Sequence, residues 1–172
     1  MRRSSLAVLA TALAMGVAFL VPATASAATT SAAVSCSGYG CDGTDPSATG
    51  CAATAVTVET ADAHEANGSG LEIGYVQLRY STACRTVWGR MVAFYPAAGD
   101  PGYEGYAGSF RNSDHLSEGC WTYTDDFSST LDGYTCYSPQ EYDGGVTSYA
   151  YADIYDPSLG GLSNTQIHTA SY

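Results

Sequence analysis

The sequence predicts an all-β protein, a small disulfide-stabilised sandwich or barrel of about 7–8 short strands. Three observations lead to that class. Short runs alternate apolar or aromatic residues with polar ones, clusters of Gly, Asp, Ser and Pro separate the runs, and no stretch sustains a helical period. Six cysteines, at 36, 41, 51, 84, 120 and 136, add the cross-links that a secreted β domain uses.

The chain opens as a secretory signal peptide over residues 1–27. Arg2 and Arg3 form the charged start, Leu6 to Val21 the apolar stretch, and Ala25-Ser26-Ala27 the small-residue cleavage pattern. The apolar stretch is shorter than the roughly 20 residues of a membrane span and runs into Pro22, so the reading is a released, extracellular protein. Residues 28–35 are a low-complexity Ala/Thr/Ser leader with nothing to bury. Residues 36–172 are read as one β-rich domain whose second half is rich in tyrosine, with two small subdomains meeting near residue 100 as the alternative.

Within that domain, Thr54 to Thr60 and Leu71 to Tyr80 alternate and flank Asn67-Gly68-Ser69-Gly70, the pattern of a hairpin. Asn67-Gly68-Ser69 also spells a glycosylation sequon, but it is read as a turn. Thr86 to Tyr95 is a third strand, ended by Pro96 to Gly102. Tyr103 to Arg111, Cys120 to Asp126, Tyr134 to Tyr137, Val146 to Tyr155 and Thr165 to Ser171 complete the set.

Once the leader is removed, seventeen acids face four arginines and no lysine, a formal side-chain charge of −13. Such a surface repels phosphate backbones and anionic lipid, which argues against nucleic-acid and membrane partners. The even cysteine count predicts three disulfides among fifteen possible pairings. Nearest neighbours favour Cys36 with Cys41, Cys51 with Cys84, and Cys120 with Cys136, the last closing a hairpin. A zinc site is set aside, because there is no C-x-x-C and His64, His115 and His168 have no ligand spacing. No cofactor motif is present, and no cofactor or metal is expected. The acids of Asp42-Gly-Thr-Asp45 and Asp125-Asp126 lie on turns without the spacing of a calcium loop.

Two blocks carry a resemblance. Cys36-x4-Cys41-Asp42-Gly43-x-Asp45-Pro46-x3-Gly50-Cys51 is followed by Leu78-Arg79-Tyr80-Ser81-x-x-Cys84-Arg85-x-x-Trp88-Gly89-Arg90. In that order they resemble a domain-of-unknown-function family of small secreted, Cys-rich bacterial proteins. The resemblance covers Cys36 to about Tyr95, with Cys120, Cys136 and the Tyr-rich segment around them looking like an addition. It implies export, disulfides and a compact β domain, and no catalytic residue.

Asp42 and Asp45 are read as turn formers, one of them pairing with Arg79 or Arg90 beneath the disulfides. The sharper alternative is a small cationic pocket in which the arginines select a carboxylate or phosphate. No G-x-S-x-G, H-E-x-x-H or P-loop is present, so no catalytic residue is assigned. Alternation sets Tyr149, Tyr151, Asp153 and Tyr155 on one strand face, with Ala150, Ala152 and Ile154 on the other. An aromatic stripe that includes an acid suits solvent better than a core. Tyr149, Tyr151, Tyr155, Trp121 and Tyr123 are therefore the binding candidates, for an unknown protein or a cell-wall polysaccharide. The functional expectation is a secreted binding or interaction protein. The alternative is an extracellular hydrolase using acids near the Trp/Tyr surface.

Overall fold

A computed structural model describes residues 33–94, 105–122, 126–155 and 164–172. They form ten strands: β1 (Ala55–His64), β2 (Glu72–Ser81), β3 (Thr86–Ala93), β4 (Gly105–Arg111), β5 (Ser117–Thr122), β6 (Phe127–Ser128), β7 (Gly133–Tyr137), β8 (Glu141–Tyr142), β9 (Ser148–Tyr155) and β10 (Asn164–His168). One antiparallel sheet runs β1-β2-β3-β7-β6, with β8 also paired to β3; the other runs β10-β9-β4-β5. The two stack as a sandwich, β2 and β3 facing β4 and β9. The open sandwich is thus the outcome, and a barrel is not formed. Strand β3 pairs with β2 on one side and with β7 and β8 on the other, so both halves of the chain share a sheet.

The alternation read from the sequence sets the layers. Val76 and Leu78 of β2, Val87 and Met91 of β3, Ala107 of β4, and Ala150, Ala152 and Ile154 of β9 form one buried cluster between the sheets. Much of this interior is alanine, and at one point it is backbone alone. A Cβ on Gly89 would collide with the backbone of Gly108, so the sheets approach closely where β3 crosses β4. The β1–β2 hairpin turns at Gly68, φ +79°, where the Ser69 N–H donates to Asn67 Oδ1 at 2.8 Å.

The disulfides are Cys36–Cys41, Cys51–Cys84 and Cys120–Cys136. The first two lie side by side, with Cys36 Sγ 3.8 Å from Cys51 Sγ, and tie two 3₁₀ turns, Gly38–Cys41 and Cys51–Thr54, against the end of β2. Buried Gln140 locks this knot by donating to Thr44 and Thr49 hydroxyls at 2.9 and 2.8 Å and accepting from Thr86 at 2.6 Å. The third disulfide differs from the hairpin closure expected of it. It joins β5 of one sheet to β7 of the other and staples the sandwich shut at that edge. The two-residue strands β6 and β8 were not foreseen, being too short to show any period.

Candidate functional site

The outer face of the four-stranded sheet gathers the aromatic side chains. Register places Tyr106 of β4 between Trp121 of β5 and Asp153 of β9, Gly108 between Gly119 and Tyr151, and Phe110 between Ser117 and Tyr149. On the far side, Gln166 of β10 pairs with Asp153 and His168 with Tyr151. With Ala107, Ala150, Ala152 and Ile154 buried inward, every aromatic in these rows faces out.

Ring contacts run through two neighbouring chains. Tyr106 lies 4.6 Å from Trp121 and 5.9 Å from Tyr151, centroid to centroid. Phe110 lies 5.3 Å from Tyr149 and stacks on His115 at 5.7 Å, and Tyr149 meets His168 edge-on at 5.9 Å. Trp121 is 50% exposed and forms one margin of the face.

Two glycines decide how these rings lie. A Cβ at Gly108 would stand 2.6 Å from the Tyr151 hydroxyl oxygen, and one at Gly119 would collide with the Tyr106 phenol. Both tyrosines therefore recline across bare backbone, the arrangement by which aromatic rings cover glycines in sheets. Their hydroxyls meet at 3.3 Å, and Tyr151 Oη is also 2.9 Å from Ser117 Oγ. Burial, helped by Tyr106 and partly offset by the Ser117 hydrogen bond, pushes the Tyr151 phenol up to about 12, so it stays protonated as a donor. The result is a contiguous aromatic platform whose rings are tilted against one another, by 53° between Tyr106 and Trp121 and 40° between Tyr106 and Tyr151. Along β9 and β10 it borders a groove of about 420 Å³ between Tyr149, Tyr151, Asp153, Gln166 and His168, and a second of about 370 Å³ continues past Tyr149 and His168 to Ser171. Burial raises the Asp153 carboxyl, while Gln166 hydrogen-bonds it and partly offsets the rise.

Of the residues singled out from sequence, Trp121, Tyr149 and Tyr151 are together on this face. Tyr155 is not: it is 2% exposed, its hydroxyl enclosed, so the alternation that turns Tyr149 and Tyr151 outward does not leave it open to a ligand. Tyr123 lies outside the described residues. Tyr106 and Phe110 were missed, although Tyr106-Ala-Gly108-Ser-Phe110 shows the same alternation. Asn112, Asp114 and His115 make the turn that brings β4 back into β5, and nothing in the sequence announces that His115 stacks on Phe110.

The ion pairs differ from expectation. Asp42 pairs with Arg111, and neither Arg79 nor Arg90 has an acid partner among the described residues. Arg111, 2% exposed at the end of β4, donates to both oxygens of Asp42 at 2.9 and 3.1 Å and both of Asp114 at 2.7 and 2.8 Å. Its guanidinium also lies 5.0 Å over the Tyr39 ring. This clamps the cysteine knot to the sandwich and holds the Asp114 carboxyl down at about 2. Asp45 is a turn former, accepting from the Ser47 and Ala48 N–H groups at 2.7 and 3.2 Å. Close by, burial pushes Glu141 up to about 8 and Asp143 to about 6. Both are buried, Glu141 completely and Asp143 to 6% exposure. The Cys36, Cys41, Cys51 and Cys84 sulfurs lie within 4.8 Å of one another, but as two disulfides they have no thiolate to give a metal.

A family model described as a protein of unknown function (DUF2690) matches residues 39–151. The chain belongs to that family. The DUF2690 match runs through Cys120 and Cys136, so the Tyr-rich segment expected to be an addition falls inside the family's stretch. Tyr106, Phe110, Trp121, Tyr149 and Tyr151 also lie inside it, whereas Asp153, Gln166 and His168 lie beyond. An uncharacterized protein, YjfA of Bacillus subtilis (strain 168), is 30% identical over 100 residues, 58% of this chain and 62% of that protein. The chain thus matches less than two thirds of its relative's length. No solved structure matches. Three disulfides suit an oxidising compartment, and among the described residues no helix is long and apolar enough to cross a membrane.

Proposed function

We propose that this DUF2690 protein is an extracellular binding module that lays a neutral polysaccharide across the aromatic face of β5, β4, β9 and β10. The observation that carries the reading is the pair of reclined tyrosines, Tyr106 over Gly119 and Tyr151 over Gly108, continuous with Trp121. Flat rings offer broad contact to the apolar faces of sugar rings, and they do so without losing the entropy of long flexible side chains. Four strands set about 4.8 Å apart make the platform roughly 14 Å wide, room for several sugar rings in line. Hydroxyl, carboxyl, amide and imidazole groups of Ser117, Asp153, Gln166 and His168 stand at its edges to hydrogen-bond sugar hydroxyls. A side-chain charge of −13 favours an uncharged polymer over a polyanion. Export by the N-terminal leader would bring the module to such polymers outside the cell.

The test is depletion of the oxidised protein from solution by insoluble neutral glucan, chitin and purified cell wall. Trp121→Ala and Tyr151→Ala are run alongside, with folding checked by near-UV circular dichroism. Retention that both variants lose supports the reading. Equal retention of folded variants, or no retention on any polymer, rejects it.

A further inference from the structure

The outer face of the six-stranded sheet, on the opposite side of the sandwich, carries a different chemistry. Arg79 on β2 stands opposite Trp88 on β3, and Arg90 stands opposite Gln77, which makes the two arginines diagonal neighbours on one face, about 7–8 Å apart along the sheet. Tyr137 of β7, 42% exposed, borders Arg90 on the other side. Both arginines are half-buried, and burial together with the charge of Arg90 depresses the Arg79 guanidinium. Like charges held this close call for a counter-charge, and the described residues provide none: the acid-paired arginine is Arg111.

What they hold instead is neutral. Arg79 donates to the Thr57 hydroxyl and, at 3.1 Å, to the Ala55 carbonyl. Arg90 sends Nε at 3.2 Å and Nη2 at 2.5 Å to one oxygen, Gln77 Oε1. An amide thus occupies the place where a glutamate of the same length would have neutralised the charge. These contacts orient both planes and use only part of the five N–H groups on each guanidinium. In a mature chain where acids outnumber arginines more than four to one, two adjacent arginines with no acid partner among the described residues stand out.

We propose that Arg79 and Arg90 form a binding site for a carboxylate carried by an otherwise uncharged molecule. The planar fork of a guanidinium matches a planar carboxylate with two parallel hydrogen bonds. The strongly negative protein repels a dianion more than a monoanion, which selects against phosphate. The site lies across the sandwich from the aromatic platform and does not depend on the polysaccharide reading.

The experiment titrates the oxidised mature protein at low ionic strength with glucuronate, glucose and inorganic phosphate, followed by backbone amide NMR shifts. Saturable shifts on β2 and β3 with glucuronate, none with glucose and weaker ones with phosphate are expected. Arg79→Gln and Arg90→Gln should each weaken glucuronate about tenfold or more, the worth of a charge-assisted hydrogen bond. Gln77→Glu supplies an internal carboxylate to Arg90 without removing any side chain and should abolish binding in a folded protein. Trp121→Ala should leave it unchanged. Absence of saturable glucuronate shifts, phosphate binding as tightly as glucuronate, or binding unaffected in Gln77→Glu would each overturn the proposal.

Discussion

Replacing Gly119 by alanine tests whether reclined tyrosines make the platform. The first three atoms that the new Cβ would meet all belong to the Tyr106 phenol, none to backbone. Gly119 is not among the positive-φ glycines, so alanine fits the main chain. The hydroxyl end of the ring must then lift by about 1.5 Å to regain ordinary contact near 3.5 Å. Lifting it loosens the 4.6 Å contact with Trp121, worth roughly 0.5–1.5 kcal/mol, and the hydroxyl contact with Tyr151, worth about 0.5–1 kcal/mol. Against this, alanine restricts the unfolded chain and returns about 0.4–1 kcal/mol. The net stability change is therefore within about 1–2 kcal/mol, and the variant stays folded. Binding responds more strongly, because a lifted ring stands proud of the surface that Tyr151 and Trp121 offer and breaks the continuous contact area. A tenfold weaker affinity for a soluble neutral glucan is expected by calorimetry, equal to about 1.4 kcal/mol, with denaturant melts run in parallel. Full affinity in a folded Gly119→Ala protein would refute the role given to the flat rings. So would an affinity loss accompanied by several kcal/mol of destabilisation, since the effect would then be one of folding.

Arg111→Gln removes the charge that two carboxylates share, leaving Asp42 part-buried without its cation. Urea melts should show a loss of roughly 3 kcal/mol, the lower end for a broken buried pair. Glu141 links stability to pH. Its folded value near 8 lies above the ordinary 4.5, so the native state binds the extra proton and stability falls as pH rises from about 4.5 to 8, by ~1.4 kcal/mol for each unit of separation. Asp143 adds to the fall between about 4 and 6. Glu141→Gln should flatten the profile of melting temperature against pH across that window, and an unchanged slope would contradict the assignment. Removing the β5–β7 staple by Cys120→Ala/Cys136→Ala opens a closed loop of sequence separation 16 and should cost about 3 kcal/mol, read in guanidinium melts with the other two disulfides intact.

What the sequence disclosed follows from the range of its signals. Strand alternation is local, so the long strands were legible, as was the outward turn of Tyr149 and Tyr151 against Ala150, Ala152 and Ile154. Tyr155 obeys the same alternation and is buried all the same, because burial depends on what the rest of the chain lays over a strand end, and no period encodes that. Disulfide neighbours were legible for the same local reason. That Cys120–Cys136 joins two sheets was not, since β5 and β7 reach different sheets only through the global topology. The partner of Asp42 lay 69 residues away at Arg111, beyond any spacing rule, while Arg79 and Arg90 attracted attention by their nearness in sequence.

The platform and the knot are two consequences of one allocation of residues. Strands β4 and β9 turn Tyr106, Phe110, Tyr149 and Tyr151 toward solvent, which leaves Ala107, Ala150, Ala152 and the glycine contact of Gly89 with Gly108, beside Ile154, to form most of their share of the interior. An alanine side chain buries far less apolar area than a leucine or phenylalanine, so this half of the core contributes correspondingly little hydrophobic stabilisation. The cross-links lie where the deficit would be felt: one disulfide pins β5, at the free edge of the aromatic sheet, to β7, and Arg111 binds the end of β4 to the cysteine knot. If that allocation is the reason for the staples, reduction should loosen the aromatic sheet first. Hydrogen exchange in reduced protein should then lose protection in β4, β5 and β9 before β2 and β3, whose interior is built from Val76, Leu78, Val87 and Met91. Simultaneous loss in both sheets would show instead that the disulfides stabilise the sandwich as a single unit, with no special duty toward the aromatic face.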